Sequence, residues 1–432
     1  MSDTPSQVTA PTAAILTLGC KLNIADSEAM ARRLRDAGWR VIDRAGDAEA
    51  VIVNTCSVTH VADQKSRHLV RMARRVAPNA TVALTGCLLE TAPPEKIDAL
   101  EADLIFRQPD QLALADRLIE LHPAETGAIP ISAHISENVR PAYKTRAFIS
   151  AQEGCNDICA FCIIPKTRGR ERSKTVEWVV EEALKRQAEG VQEIVITGTQ
   201  LGHYGRDIGL RLHDVMRALV QGTDIPRIRM SSVQPRDLTD ELIDLWQDRR
   251  LCRHFHLALQ SGSEGVLQRM RRRYTKSEFR EAVQGLRDSM PDVAITTDVI
   301  VGFPGESEDE FEECVAFCEE MAFAGIHVFP YSQRSGTVAF KMPDQVPDPV
   351  KKQRVHRLID VAAGTARAYR DQFIGRTDSV LWETQREDGA WEGLTDTYIR
   401  VRAMSGADLA NRLTPVRITG QGDDGLFGEV VL

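Results

Sequence analysis

The chain has 432 residues, of which 43% are hydrophobic, 27% charged and 6% aromatic. This composition is that of a globular protein with room for two or three domains. It excludes a mostly disordered chain and a membrane protein, because the apolar stretches fall well short of the ~20 residues of a spanning helix. The net charge of −8 argues against wholesale coating of nucleic acid, although it leaves room for a local basic patch.

The first region, residues 13–125, alternates short apolar strands with helices. Asp26 is predicted to be the N-cap of the first helix. The βαβ order predicts an open, mostly parallel α/β sheet. The predicted strands are Ala14–Leu18, Val51–Asn54 and Thr81–Thr85, and the predicted helices are Asp26–Asp36 and Asp63–Val76.

Residues 126–143 have little periodicity and predict a linker. The next region, residues 144–373, repeats a strand–helix pattern six times and ends in a helix, which predicts a partial or complete (β/α) barrel. The predicted strands are Ala147–Gln152, Glu193–Thr197, Arg227–Ser231, His254–Gln260, Ala294–Val301 and Gly325–Tyr331. Residues 374–432 have alternating apolar runs and turn residues, which predict a small antiparallel β-barrel of the kind that often holds nucleic acid.

The chain has nine cysteines. The N-terminus lacks the pattern of a signal peptide, so we expect a cytoplasmic protein that uses its cysteines for metal or redox chemistry rather than for disulfides. Three of them form a C-x3-C-x2-C spacing just after the first barrel strand, where barrel active sites lie. We call Cys155, Cys159 and Cys162 the loop trio. Three thiolates on a short loop can hold a four-iron cluster and leave one iron open. The alternative is a zinc knuckle with a distant fourth ligand, although zinc sites usually use paired C-x2-C units.

A second set of cysteines lies in the first region. Each one follows a predicted strand at a glycine or polar turn, and parallel strands end at a common edge, so the three are expected to converge. We call Cys20, Cys56 and Cys87 the sheet trio. It would form a second three-thiolate site with its own open iron, and the alternative is three unrelated core cysteines. The remaining cysteines, Cys252, Cys314 and Cys318, are interpreted as core residues.

The string GCNDICAFCIIPKTRGRERS, residues 154–173, resembles the methylthiotransferases among the radical S-adenosylmethionine enzymes. The sheet trio matches the N-terminal domain of the same family. The resemblance implies two [4Fe-4S] clusters, held by the loop trio and the sheet trio, and S-adenosylmethionine on the open iron of the first. It further implies that an external one-electron donor starts cleavage to a 5′-deoxyadenosyl radical, which removes hydrogen from C2 of an adenine. Sulfur from the second cluster and a methyl group from a second S-adenosylmethionine would follow.

The resemblance also implies that S-adenosylmethionine lies along the ends of the barrel strands. Each of these segments has an alternative interpretation as a simple turn between a strand and a helix. The residues expected to contact the cofactor are Phe161, Thr197, Gly198, Gln200, Ser231, Ser232, Gln260, Ser261, Asp298 and Gly302.

Basic runs indicate contacts with the phosphates of a folded RNA, although solvated helix faces or ion pairs would give the same pattern. They occupy residues 144–174, 269–273 and 65–75. The C-terminal barrel resembles the TRAM module, which binds RNA. The bases of the RNA would stack on aromatic side chains of the barrel. The candidates are Trp382, Trp391, Tyr398 and Phe427.

The sequences Gly19–Asn23, Cys56–Thr59 and Leu201–Gly205 resemble the branch that acts on N6-threonylcarbamoyladenosine at position 37 of the tRNA anticodon loop. The alternatives are the branches that act on N6-isopentenyladenosine 37 or on a ribosomal-protein aspartate. A function of another class also stays open, namely a non-catalytic iron–sulfur electron carrier or a redox-sensing RNA-binding protein.

Overall fold

The computed structural model describes residues 10–108, 110–123 and 145–431, so the predicted linker at 126–143 lies outside the described residues. The described residues divide into two units. The first contains residues 10–108, 110–123 and 163–170, and the second contains 145–162 and 171–431. Among the described residues, every helix is too short or too polar to cross a membrane.

The first unit contains a five-stranded, all-parallel sheet with the strand order β2-β1-β3-β4-β5. This is the flavodoxin-like order of doubly wound folds, in which ligands bind where the order reverses, between β1 and β3. The open parallel sheet predicted from the sequence is confirmed. The strands are β1 (Thr12–Thr17), β2 (Arg40–Ile42), β3 (Ala50–Thr55), β4 (Thr81–Gly86) and β5 (Leu104–Phe106).

Helices cover the two faces of this sheet and bury its apolar side chains, such as Val53 and Leu84 on one face and Ile52 and Ala83 on the other. The helices of the unit are α1 (Lys21–Asp36), α2 (His60–Val76), α3 (Leu88–Thr91), α4 (Pro94–Asp98), α5 (Gln111–Leu121) and α6 (Ile164–Thr167).

The prediction that Asp26 caps the first helix is wrong. Helix α1 begins at Lys21 with Cys20 at the N-cap, and Asp26 lies inside the helix, where it is buried. Its carboxylate bonds to Arg168 from a distant part of the chain. A tertiary ion pair therefore replaces the local capping bond that the sequence indicated.

The second unit begins with six parallel strands paired in chain order, forming a partial (β/α) barrel as expected. Isolated bridges, such as Val233 to Leu257, join the two sheets of the arc. The sequence did not predict the short antiparallel strand β7. The strands are β6 (Arg146–Glu153), β7 (Arg172–Ser173), β8 (Glu193–Gly198), β9 (Arg227–Met230), β10 (His254–His256), β11 (Ala294–Val301) and β12 (Gly325–Pro330).

Hydroxyl side chains fix the starts of several barrel helices. Thr275 and Ser307 form capping boxes with the acidic residue three positions later. These caps satisfy backbone N–H groups that the first helical turn leaves unpaired. The helices are α7 (Val176–Ala188), α8 (Leu212–Gly222), α9 (Asp240–Ile243), α10 (Glu264–Arg269), α11 (Lys276–Ser289), α12 (Glu308–Met321) and α13 (Asp348–Asp371).

After α13 the chain forms a closed β-barrel with the order β13-β14-β15-β17-β16. Trp382, Trp391, Val401 and Val416 fill its core. The expected small C-terminal barrel is therefore confirmed. The strands are β13 (Thr377–Gln385), β14 (Ala390–Thr395), β15 (Arg400–Met404), β16 (Leu413–Gln421) and β17 (Leu426–Val430).

Candidate functional site

The loop trio follows β6 at the carboxyl end of the barrel strands. Gly154 turns the chain out of the strand with a φ of +73°, a left-handed conformation that favours glycine. The loop is held from two sides, because the N–H of Ala160 donates to the carbonyl of Met270 at 2.9 Å and its carbonyl accepts from the N–H of Ala339 at 2.8 Å. The backbone therefore holds the cysteines in place without help from their own side chains.

The thiols of the loop trio are close enough to affect one another electrostatically. Burial raises the pKa of Cys155 to about 12, and the neighbouring Asp157, Cys162 and Cys159 add to the rise. All three cysteines are free of disulfides. Three neighbouring thiolates repel one another unless they bind a common positive centre, and an iron cluster is such a centre.

The spacing of the thiols also bears on the kind of metal. Among the described residues, one group of three potential ligand side chains has its atoms all within 4.8 Å of one another, and that group contains no cysteine. Around a single zinc ion, thiolates 2.3 Å from the metal lie only about 3.8 Å apart. In each trio at least one pair of thiols is therefore farther apart than this, which fits a larger cluster better than a single zinc ion.

Arg272 contacts the middle thiol of the loop trio, with its Nη1 3.2 Å from Sγ of Cys159. Its Nε also donates to the hydroxyl of Tyr274 at 3.1 Å. Burial would lower the pKa of Arg272, but Tyr274 and Cys159 outweigh it and keep the guanidinium charged. In the sequence this residue was part of a basic run expected to contact phosphates. The structure places it beside the cysteine instead.

The sheet trio lies at the carboxyl ends of β1, β3 and β4, as expected from the strand pattern. Cys20 and Cys87 occupy the N-cap positions of α1 and α3. Gly86 precedes Cys87 with a φ of +99°, and a Cβ there would lie 2.3 Å from the carbonyl oxygen of Thr55. The close approach of β3 and β4 at this edge therefore requires glycine.

The three thiols of the sheet trio also affect one another. Burial raises the pKa of Cys87 to about 11, while Arg168 opposes the rise and the thiols of Cys20 and Cys56 add to it. Burial likewise raises the pKa of Cys56, with a further contribution from Cys20. The sheet trio therefore has the same donor chemistry as the loop trio.

Arg168 also belongs to this site. Its place in a basic run predicts a contact with RNA, but the side chain is buried in the first unit. Its Nη2 lies 2.9 Å from Oδ1 of Asn23 and 2.9 Å from Oδ2 of Asp26. Its positive charge also acts to lower the pKa of Cys87. A local charge pattern cannot distinguish such a buried arginine from an exposed one.

Most of the predicted cofactor residues occupy the strand ends as expected, except Phe161 on the cysteine loop and Asp298 inside β11. Their role in binding S-adenosylmethionine stays a prediction. Phe161 packs edge-on against Phe303, with ring centroids 6.5 Å apart. The others are Thr197 and Gly198 at the end of β8, Gln200 just beyond it, Ser231 and Ser232 after β9, Gln260 and Ser261 after β10, and Gly302 after β11.

Two of these residues hold buried polar atoms that make no hydrogen bond within the described protein, namely Nε2 of Gln200 and Oγ of Ser231. An unsatisfied buried polar atom is costly, and a polar ligand at the strand ends would satisfy it. Gln152, which the sequence analysis missed, positions this region by accepting from the N–H of Gln200 at 2.9 Å and donating to the carbonyl of Gly154 at 2.9 Å. These features fit a polar cofactor beside the loop trio.

Two other residues that are predicted to contact the cofactor already lie against other side chains of the protein. A Cβ on Gly302 would lie 2.2 Å from Cγ of Lys351, so the space that this glycine leaves open is occupied by Lys351. Asp298 lies inside β11 rather than at its end, between His256 and His327. Burial alone would raise the pKa of Asp298, but the two histidines outweigh it and lower the pKa.

The candidate aromatic side chains of the C-terminal barrel differ in exposure. Trp382 and Trp391 are core residues, so the expectation that they stack on bases is wrong. Tyr398 lies under the guanidinium of Arg229, 4.6 Å from the ring centroid. Phe427 is 45% exposed and stays available to a base.

Two family models match this chain, one mainly in the second unit and one in the first unit. Residues 149–318 match the model of the Radical SAM superfamily, and residues 12–107 match the Uncharacterized protein family UPF0004. Each match contains one cysteine trio. Among solved structures, the radical S-adenosylmethionine methyltransferase TsrM from Kitasatospora setae is similar, with a TM-score of 0.54 and 16% identity over 74% of this chain and 75% of that chain. This similarity supports the fold alone.

Curated relatives cover nearly the whole chain. The threonylcarbamoyladenosine tRNA methylthiotransferase MtaB of Bacillus subtilis is 37% identical over 97% of both chains. The protein of the same name from Thermotoga maritima is 36% identical over 90% of both. The tRNA-2-methylthio-N(6)-dimethylallyladenosine synthase of Acetivibrio thermocellus is 33% identical over 96% of this chain and 90% of its own. The chain therefore belongs to the methylthiotransferase family of radical S-adenosylmethionine enzymes.

Proposed function

We propose that this enzyme converts N6-threonylcarbamoyladenosine at position 37 of tRNA to its 2-methylthio derivative. The observation that carries the proposal is the pair of cysteine trios, each at the carboxyl edge of a parallel sheet and each with three mutually interacting thiols. The named relatives with 37% and 36% identity act on threonylcarbamoyladenosine, which supports the choice of substrate.

In this proposal the loop trio and the sheet trio each hold one [4Fe-4S] cluster, and each leaves one iron without a cysteine. When bound, the first cluster supplies the electron that cleaves S-adenosylmethionine and the second supplies the iron that presents sulfur. Because the two clusters have different tasks, the enzyme needs two separate three-cysteine sites rather than one closed four-cysteine site.

The residues around the clusters then have distinct tasks. Gln200 and Ser231 offer their unsatisfied polar atoms to the cofactor at the strand ends. Arg272 and Arg168 place a positive charge beside one thiol of each trio, which favours the thiolate form that binds iron. The substrate adenine reacts at a carbon with no acidic proton, so the site needs no protein base at that carbon.

Contact with tRNA is assigned to exposed groups. On α2, Lys65, Arg71 and Arg75 are exposed, and on the C-terminal barrel Phe427 offers a ring. Cationic side chains pair with phosphates and an exposed ring stacks on a base. An external one-electron donor supplies the electron. The proposed tRNA substrate agrees with a cytoplasmic enzyme.

Mass spectrometry of tRNA nucleosides tests the proposal. Cells that lack this chain should accumulate N6-threonylcarbamoyladenosine and lose its 2-methylthio form, and the wild-type gene should restore it. Loss of the 2-methylthio form of N6-isopentenyladenosine instead would assign the enzyme to the branch that the 33% identical relative represents. Unchanged tRNA nucleosides would contradict both assignments and leave a ribosomal protein or an electron-transfer role.

A further inference from the structure

A group of two histidines and one aspartate in the second unit contains none of the six cysteines of the trios. His256, Asp298 and His327 come from the neighbouring parallel strands β10, β11 and β12. Asp298 pairs in register with His327, and on the opposite face of the same strands Phe255 and Val299 pack into the core. The strand alternation therefore places these three polar side chains together on the face that does not contact the helices. We call them the histidine–aspartate cluster.

The ligand atoms of this cluster are tightly grouped. Nε2 of His256 lies 3.2 Å from Oδ2 of Asp298, and Nδ1 of His327 lies 3.1 Å from Oδ1. All three side chains have a nitrogen or oxygen within 4.8 Å of the other two. Two ligand atoms bound at right angles to one ion, each about 2.1 Å from it, would be ~3.0 Å apart. The contact between Nδ1 of His327 and Oδ1 of Asp298 is a hydrogen bond, and the same short spacing would let these atoms become adjacent ligands of one metal ion.

The bonding of His256 supports this interpretation. Its side chain is 8% exposed, and its Nε2 makes no hydrogen bond although an oxygen of Asp298 is 3.2 Å away. Its Nδ1 lies 3.1 Å from the hydroxyl of Thr296, which also lies 3.0 Å from Nε2 of His254. If this hydroxyl donates to His254 and accepts from Nδ1 of His256, the proton of His256 is on Nδ1 and Nε2 keeps a lone pair that a metal ion can take. Metal-bound histidines are held in this way by their second nitrogen.

We infer that the histidine–aspartate cluster binds one divalent first-row transition metal ion, such as Mn²⁺, Fe²⁺ or Zn²⁺. Two imidazoles and one carboxylate suit these ions, whereas Mg²⁺ and Ca²⁺ prefer oxygen ligands only. Three protein ligands leave further coordination positions free. The side chain of His327 is 67% exposed, so that side of the ion is open to solvent or to a small oxygen ligand. The inference assigns Asp298 to a metal ion instead of to S-adenosylmethionine.

A titration of the cluster-loaded enzyme with Mn²⁺ tests this inference. The protein is treated with a chelator, desalted under anaerobic conditions and checked for its iron content, and free Mn²⁺ is then followed by its electron paramagnetic resonance signal. We expect one bound Mn²⁺ per chain, displaced by Zn²⁺. His256→Ala and Asp298→Asn should each weaken binding at least tenfold, while His356→Ala, an exposed histidine on α13, should leave it unchanged.

The result does not depend on one variant folding. His327→Ala removes the most exposed of the three side chains, and unchanged iron content and thermal unfolding would show that this variant is intact. Failure of the wild-type enzyme to bind Mn²⁺ or Zn²⁺, or equal binding by His327→Ala, would overturn the inference. Because the readout is metal binding, failure of the proposed tRNA activity would leave this result unaffected.

Discussion

Arg272 places its Nη1 3.2 Å from Sγ of Cys159, the middle cysteine of the loop trio. The guanidinium also lies over the ring of Tyr274, 4.8 Å from its centroid, and the Tyr274 hydroxyl donates to the carbonyl of Leu259 at 2.7 Å. A chain of contacts therefore connects the end of β10 to the cysteine loop. It holds a fixed positive charge beside a sulfur atom that would carry electron density from a cluster.

Replacing Arg272 with methionine should make the loop-trio cluster harder to reduce. A charged hydrogen bond to the sulfur stabilises the reduced form by about 1.5–2 kcal/mol, which corresponds to roughly 60–90 mV for one electron. The midpoint potential should become more negative by this amount in a redox titration followed by electron paramagnetic resonance. A background without the sheet trio isolates the signal. Arg271→Met is the matched control, and an unchanged potential in Arg272→Met would contradict the assignment.

Cys159→Ala should remove about half of the iron from the reconstituted enzyme, because two clusters of four irons would fall to one. It should also abolish the formation of 5′-deoxyadenosine from S-adenosylmethionine. Iron analysis and chromatography of the cofactor products measure the two effects. Cys252→Ala, a buried cysteine outside both trios, is the control. Cofactor cleavage by the Cys159 variant would show that the loop trio has another role.

Cys56→Ala should have the complementary effect, because it removes a ligand from the sheet trio and leaves the loop trio unchanged. The loop trio stays intact, so cleavage of S-adenosylmethionine should continue, while the methylthio product should disappear because the sulfur site is lost. Product analysis with substrate tRNA and cofactor analysis on the same sample give both quantities. An undiminished yield of methylthiolated nucleoside would count against the sheet trio as a cluster site.

Glu193→Gln should destabilise the second unit and alter its response to acid. Glu193 is fully buried at the start of β8, with Oε1 2.7 Å from Nε of Arg229. Burial would raise its pKa, but Arg229, Arg146 and Arg227 outweigh burial and lower it. Removing the charge takes the buried carboxylate away from Arg229 and Arg227, while Arg146 keeps its contact with Glu383, and the expected cost is about 3 kcal/mol.

The lowered pKa also sets the pH range of the effect. The wild-type carboxylate contributes stability above the unfolded-state pKa of about 4.3, and this contribution is lost as the pH falls towards the lower folded-state pKa. The Glu193→Gln variant should therefore have a lower melting temperature at pH 7 and a smaller further loss below pH ~4. Thermal unfolding across this range, with the exposed Glu181→Gln as control, measures both. Parallel curves for variant and wild type would contradict the argument.

Phe427→Ala should weaken the binding of substrate tRNA while leaving the cleavage of S-adenosylmethionine without RNA unchanged. One stacked base contributes about 1–3 kcal/mol, so the affinity should fall at least fivefold. A filter-binding or fluorescence titration at fixed salt measures it. Met404→Ala is the control, since Met404 is 69% exposed on β15 of the same barrel and has no ring to stack. Equal losses in both variants would argue against stacking on Phe427.

Much of the candidate site could be predicted because its chemistry is local. The loop trio lies within eight consecutive residues, and each cysteine of the sheet trio follows its own strand by one to three residues. Strand periodicity also predicted the strand at Ala294–Val301 with its observed bounds. Backbone sterics and short-range spacing determine these features, so the sequence displays them directly.

Other side chains owe their role to contacts that no local pattern reveals. Arg168 and Arg272 resembled phosphate-binding residues, yet Arg168 pairs with Asp26 across 142 positions of sequence and Arg272 with Cys159 across 113. Trp382 is buried in the core of the C-terminal barrel, although its sequence pattern also allowed an exposed ring. Strand pairing brings His256 and His327 next to Asp298. The sequence by itself determined the order of elements and the identity of the sulfur ligands, because both depend on spacing along the chain. Only the tertiary structure decided which charges and rings are buried, because a side chain pays its desolvation cost according to its partners in space.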